Sequence, residues 1–378
     1  MKCTKTLLIL AAAMQLAVAH TRAYGAPEDT QGYPLWVGGV QVTSETTSGD
    51  CDGGGTWAFA PATDTSPATL TLTNATITAS AAPSEVSPWI SAAIVSGLDL
   101  TVHLVGENAL TNTDDQDHLC AGLIGTGEAG KITLAGPGSL TSVGTIYGVL
   151  CDDCALVIDG TSVCAEGIAS DGIKTSGGAN IASITITGSS VVTATGRDVG
   201  MNAGSSLTVE GSSFVTANGG AEKHADIYGA IVTREIDLKD GLKIMEPDKW
   251  HTRTGCFPGA GNADLLSIFE ENSAEPARRV VIGKPPAVSN VVARQRWPWN
   301  GLVDVDYEVA GYRPGLAARI SFAEQGGTGH WVATNFLAGA EPSAAPGLHR
   351  ATWDTAADGA TNVVAAEVTA TVELVEEE

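Results

Sequence analysis

Seven short segments of the chain repeat one alternation of apolar, variable and apolar residues. They are Leu70-Thr-Leu72, Val102-His-Leu104, Ile132-Thr-Leu134, Leu156-Val-Ile158, Ile184-Thr-Ile186, Leu207-Thr-Val209 and Ile236-Asp-Leu238. Their last residues are spaced by 32, 30, 24, 28, 23 and 29 positions. Most are followed by a small or glycine-containing turn and a second apolar pair, as in Gly106–Leu110, Gly136–Leu140, Gly188–Val192 and Gly211–Val215. A unit this short cannot bury its own apolar face, so it must stack on its neighbours. The segments are rich in Thr, Val, Ile and Gly and lack apolar residues at three- and four-residue spacing, which excludes helical repeats. The Asn-anchored consensus of leucine-rich repeats is missing. An all-β chain is expected, with a right-handed parallel β-helix over residues 35–245 in which a coil of three short strands makes one repeat. An antiparallel sandwich also places strands at regular intervals. The repeat of a whole strand–turn–strand coil, rather than of a hairpin, favours the solenoid.

The chain has 378 residues and a net charge of −23. Such a balance offers no cationic surface to displace counterions from phosphates, and it disfavours nucleic acid and anionic lipid alike. A mean hydropathy of +0.10 is incompatible with a wholly disordered acidic chain. The charge suits cations, neutral polymers or cationic partners. Lys2 and Lys5 precede an apolar run from Leu7 to Ala19 that is too short to span a bilayer comfortably. With Ala17-Val-Ala19 at its end, residues 1–19 read as an export signal cut before His20, or alternatively near Ala23; the competing reading is a buried N-terminal helix. Export predicts a secreted, cell-surface or periplasmic protein, and no later apolar segment is long enough for a transmembrane anchor. Cys51, Cys120, Cys151, Cys154, Cys164 and Cys256 would remain, an even number that favours disulfides in an exported chain, with 15 pairings open. Cys151-Asp-Asp-Cys154 has the spacing of a redox or zinc pair, but the sequence offers neither a thioredoxin-like βαβ context nor a second pair. Structural cysteines are the reading adopted.

Ser170-Asp-Gly-Ile-Lys-Thr175, followed by Ile184-Thr-Ile186 and Gly188–Ala194, resembles the bacterial carbohydrate-binding β-helix family related in fold to polysaccharide lyases. That family repeats a "DGI" turn, a strand, and a glycine-rich turn into a second strand. Leu100–Thr111 and Leu35–Val42 are similar to related exported proteins of gut bacteria. The resemblance implies a β-helix that binds a polysaccharide or cell-surface glycan. The chain departs from the pattern at Asp198-Val-Gly-Met-Asn202, where a second "DGI" segment is expected.

Composition changes after residue 245. Residues 246–286 hold Pro247, Pro258, Pro276, Pro285 and Pro286 and read as a cap and linker, with one short helix over Leu265–Glu271. From Ala287, strand candidates recur at Leu302–Val309, Ala318–Phe322, Trp331–Thr334, His349–Trp353 and Val368–Leu374. They predict a small immunoglobulin- or fibronectin-III-like β-sandwich over residues 287–378. Arg294–Gly301 and Gly347–Asp354 resemble small sandwich modules of exported proteins from the Planctomycetes–Verrucomicrobia–Lentisphaerae group.

Four tryptophans are candidate sugar platforms, because an indole face stacks on the apolar face of a pyranose: Trp57, Trp89, Trp297 and Trp299. Each has an alternative place in a core. Residues 57–244 carry 20 acidic and 7 basic side chains. Crowded carboxylates repel one another, and a hard cation such as Ca²⁺ would relieve them. The candidate ligands are Asp114, Asp115 and Asp117 in the Asn112–Asp117 loop, with Asp171; a solvated acidic loop is the alternative. No Gly-x-Ser-x-Gly or His/Glu/His motif is present. A lyase would need a calcium cluster and a basic group, for which Asp171 with Arg197 or Lys174 is the pair to consider. The expectation is a non-catalytic glycan binder, with a surface adhesin or stalk and a polysaccharide lyase as the alternatives.

Overall fold

A computed structural model describes residues 31–78, 90–113, 119–177, 181–220, 229–254, 265–297, 300–311, 315–325, 327–360 and 368–376. The described residues form strands and turns, with no helix among them. They fall into two compact units, divided between Ile282 and Gly283. The proposed export signal and Cys256 lie outside the described residues.

The first unit is built from two sheets between which the chain alternates. One sheet takes Ala68–Thr73, Ile90–Ser96, Leu100–Val105, Leu119–Ala135, Tyr147–Asp159, Ile173–Ser176, Ile184–Thr187, Met201–Val209 and Ile231–Leu238. The other takes Thr76–Thr78, Glu107–Asn112, Ser139–Gly144, Ser162–Gly167, Val191–Gly196 and Phe214–Asn218. Each of these strands pairs in parallel with its counterpart one rung earlier or later. The apolar triplets stack as the repeat predicts in five of the six steps: Leu72 on Leu104, Leu134 on Ile158, Ile158 on Ile186, Ile186 on Val209 and Val209 on Leu238.

The sixth step is displaced. Leu134 pairs with Val102 rather than Leu104, and in the second sheet Leu140 pairs with Asn108 and Ser142 with Leu110. A slip of two residues keeps every side chain on its own face, because the strand period is two. It places Asn108 in a row with Leu140, Val163, Val192 and Val215, and Ser142 in a row with Ile77, Leu110, Ala165, Ala194 and Ala217, and both are satisfied there. Asn108 Nδ2 donates to the carbonyls of Val105, Gly106 and Ser139, and its Oδ1 accepts from the Ala75 N–H. Ser142 Oγ donates to the Gly148 carbonyl at 2.7 Å.

Two kinds of corner close each rung. Where the chain leaves the first sheet for the second, one residue adopts a left-handed backbone: Asn74, Gly106, Gly136, Gly160, Gly188 and Gly211 recur there with φ of 47° to 115°. Where it returns, glycines are required by crowding. A Cβ on Gly167 or Gly196 would stand 2.0 Å from the carbonyl oxygen of Asp171 or Val199. Gly172 and Gly200 occupy the same place one rung apart, since Ile173 pairs with Met201. The Asp198–Asn202 segment is thus the structural equivalent of the "DGI" turn, with Val199 standing where its neighbour has Asp171.

Strands of opposite direction lie at both ends of the stack. Gly32–Val37 runs antiparallel to Ile90–Ser96, and Thr56–Ala60 antiparallel to Ala68–Thr73. At the other end Leu266–Glu270 runs antiparallel to Ile231–Leu238, and Arg279–Gly283 to Phe214–Asn218. The short helix expected over Leu265–Glu271 is therefore a strand. Its Ile268 and Phe269 are buried and Ser267 Oγ donates to the Ile231 carbonyl, so tertiary pairing overrides local preference. The disulfide expectation gains no bond among Cys51, Cys151, Cys154 and Cys164, which are free thiols.

The second unit has two antiparallel sheets of three strands. One joins Ala287–Gln295, Leu302–Ala310 and Gly347–Asp354; the other joins His330–Val332, Leu316–Glu324 and Val368–Glu376. Val305, Tyr307, Ile320, Phe322, Trp353 and Val372 share one core drawn from both sheets, and Phe322 stacks on Trp353 at 4.5 Å. Tyr307 Oη donates to the Ser343 carbonyl and accepts from the Ser343 N–H, which fixes that loop to the core.

Candidate functional site

The residues between the buried apolar rows face outward, and the register lines them up in files in which threonine is the commonest residue. In the second sheet Thr76, Ala109, Thr141, Cys164, Thr193 and Thr216 form one file, and Thr78, Thr111, Val143, Glu166, Thr195 and Asn218 form the next. In the first sheet Thr69, Thr101, Thr133, Val157, Thr185, Thr208 and Asp237 form a third. Neighbouring strands lie about 4.8 Å apart, so hydroxyl and methyl repeat at that interval wherever threonines follow one another, as at Thr69, Thr101 and Thr133, at Thr185 and Thr208, and at Thr193 and Thr216. Most of these side chains are half-exposed. Asn218 Nδ2 donates to Thr195 Oγ1 at 3.2 Å, which links two members of one file. A threonine offers a hydrogen-bonding oxygen and an apolar methyl together. That combination suits a ligand, such as a sugar chain, whose surface mixes hydroxyl and C–H groups.

A second group of polar side chains stands on the outer face of the first sheet. Asp171, only 3% exposed, accepts from Asn202 Nδ2 at 3.1 Å and from Ser170 Oγ at 3.3 Å. Lys174 Nζ stands 3.7 Å from the same carboxylate. It also donates to Tyr147 Oη at 3.3 Å and lies 5.0 Å from the centre of that ring. Burial pushes the Asp171 carboxyl above its ordinary value, while Lys174 and the hydrogen bonds from Asn202 and Ser170 pull it back. Burial works against the Lys174 ammonium as well, but Tyr147 and Asp171 hold it charged.

The arrangement is a partly buried ion pair with its lone pairs satisfied. The Lys174 ammonium stands beside Asp171, and among the described residues no group of three or more His, Cys, Asp or Glu side chains is placed to hold a metal. Removing one partner of such a pair leaves the other charge uncompensated, at about 3–5 kcal/mol, whereas removing both is much cheaper. Lys174→Met is therefore expected to lower the melting midpoint clearly, and Asp171→Asn added to it is expected to restore much of the loss. Additive losses in a thermal-melting cycle would show that the two groups are not coupled.

The remaining expected site residues separate. Trp57 is 5% exposed and belongs to the core of the first unit, so its indole packs inside and offers no platform face. Trp297 is 78% exposed on the second unit. Trp89, Trp299, Asp114, Asp115 and Asp117 lie outside the described residues. The threonine files were not singled out from the sequence as a site, yet their signal is in the repeat itself. They are the variable residues beside the apolar positions, and Thr133, Thr185 and Thr208 occupy the centres of three of the seven triplets. Compared with protein-family models, with curated proteins and with solved structures, the chain matches none.

Proposed function

We propose that the first unit is a right-handed parallel β-helix, that the second is an immunoglobulin- or fibronectin-III-like sandwich, and that the chain is an exported, non-catalytic protein that binds a polysaccharide or cell-surface glycan along the threonine files. The observation that carries this reading is the run of outward threonines in register across successive rungs. Each contact is weak, but a polymer lying along a file meets several at once, and contacts on one chain add through effective concentration. The net charge of −23 favours a neutral or cationic polymer over an acidic one. The resemblance of the "DGI" turns to carbohydrate-binding β-helices supports the same ligand class.

Retention of the full chain on insoluble polysaccharides, and a glycan array, test the reading with and without Ca²⁺. The wild-type chain is expected to be retained. Thr193→Glu combined with Thr216→Glu, both at outward positions, is expected to reduce retention at least about tenfold while leaving the melting midpoint near its original value. A chain retained by no polysaccharide in either condition overturns the proposal.

A second reading, a surface adhesin or stalk whose second unit meets a protein partner, draws on the exposed Leu348 and Trp297, at 81% and 78%. It predicts that Leu348→Asp and Trp297→Ala abolish attachment to target cells while the paired threonine substitution leaves it intact.

A further inference from the structure

Cys151 and Cys154 meet inside one corner of the first unit. The Tyr147–Asp159 strand turns there from one side of its rung to the next. Val149 and Cys151 face inward, Cys154 and Leu156 face inward again, and Asp152 and Asp153 intervene on the outside. Asp153 has a φ of 54°, a left-handed residue that bends the strand between the two cysteines. The two thiols are hydrogen-bonded to each other in the core, at 0% and 1% exposure. The neighbouring rung leaves the sulfur its space: a Cβ on Gly125, which pairs with Cys151, would come 3.0 Å from Cys154 Sγ.

We propose that Cys151 and Cys154 become joined as an intrachain disulfide when the chain folds in the presence of a disulfide oxidant. A thiolate of the pair attacks the oxidant's S–S bond and forms a mixed disulfide, releasing one thiol. The second cysteine then attacks the mixed disulfide, the Cys151–Cys154 S–S bond forms, and a second thiol leaves. The two S–H protons and two electrons of the pair end on the oxidant's two sulfurs. The thiolate is the attacking species. In the closed corner the hydrogen bond from Cys154, burial and the charge of Asp152 all push the Cys151 thiol up. Exchange therefore takes place before the rung closes, and the finished bond is sealed from solvent. The bond ties two sides of one rung together at the corner where the strand bends. It goes beyond glycan binding and does not depend on it.

The test uses the full chain, produced in soluble form once in an oxidising and once in a reducing compartment. Both samples are denatured in acid, treated with a maleimide and digested with trypsin. The peptide between Lys131 and Lys174 carries Cys151, Cys154 and Cys164. From the oxidising compartment, Cys151 and Cys154 are expected to be unlabelled and their peptide lighter by two hydrogens, the label being confined to Cys164 or absent if Cys164 is engaged elsewhere. From the reducing compartment, all three are expected to carry the label. Label on both Cys151 and Cys154 in the oxidised sample overturns the proposal. So does a bond from either of them to Cys164 or to another peptide.

Discussion

Gly196→Ala is expected to destabilise the first unit by at least about 3 kcal/mol, the upper part of the range for forcing volume into a packed interior. The added Cβ would stand 2.0 Å from the Val199 carbonyl oxygen, 2.6 Å from that of Ser170 and 2.7 Å from the Gly172 nitrogen. All three are backbone atoms, and they belong to two successive rungs, so no single side chain can move aside. Relief requires the returning corner to open. Gly160→Ala is the control. Gly160 has a φ of 63° and open space around its Cβ position, so the cost is the left-handed backbone alone, about 1–2 kcal/mol. Urea melts of the two variants should separate clearly. A Gly196→Ala chain that melts with the wild type would show that the corner is wider than described.

Asp358→Ala is expected to destabilise the second unit by about 1–3 kcal/mol, because the half-buried Trp353 indole N–H loses its acceptor while the exposed donors of Thr334 and Asn335 turn to water. The carboxylate accepts from the Thr334 N–H and hydroxyl, from the Asn335 N–H and side-chain amide, and from the Trp353 indole N–H. Trp353 belongs to the core, so the carboxylate ties a loop to the centre of the unit. Partial burial pushes the Asp358 carboxyl up, but the donors of Thr334, Trp353 and Asn335 outweigh it and hold the group well below the usual carboxylate range.

The folded value therefore lies below the unfolded one of about 3.9. The stabilisation is complete above the unfolded value and disappears as pH falls through the folded one. Acid titration followed by the Trp353 indole N–H resonance is expected to show a plateau down to about pH 4 and a fall below it. Asp358→Asn should start lower and lose the part of the slope that this residue contributes. An unchanged slope would place the acid-sensitive group elsewhere.

The period of the repeat is legible in the sequence because burial enforces it. Leu70, Leu72, Val102 and Leu104 must face one interior, and alternation by two marks them. The strands of the second unit are legible for the same reason, as Leu302–Val309 and His349–Trp353 show. The slip between Leu104 and Leu134 is not, since a shift of two leaves the apolar pattern intact and is decided by hydrogen bonds of Asn108 and Ser142. The strand over Leu266–Glu270 is hidden because it is made by pairing with two other segments, Trp250–Thr254 and Val232–Thr233, rather than by its own residues. Among the site residues, Asp171 stands out in the sequence as one more carboxylate. Its neighbour Asn202 comes from the rung after, and Tyr147, the partner of Lys174, from the rung before, and nothing local in the chain links them. Trp57 looks the same in sequence whether its indole is a platform or a core group, since both uses need a large apolar ring beside small residues.

A stack of parallel rungs has no inherent length, for each rung presents the same edge that it was built upon. The strands of reversed direction at both ends of the first unit remove that equivalence. In the first sheet a second copy of the chain would meet Val40–Thr43 and Ser48–Asp50 at one end and Trp250–Thr254 at the other, each antiparallel to the strand it covers, whereas the second sheet ends at Thr76–Thr78 on a parallel strand. The first sheet thus ends its own parallel register at both edges, which works against end-to-end growth into fibres.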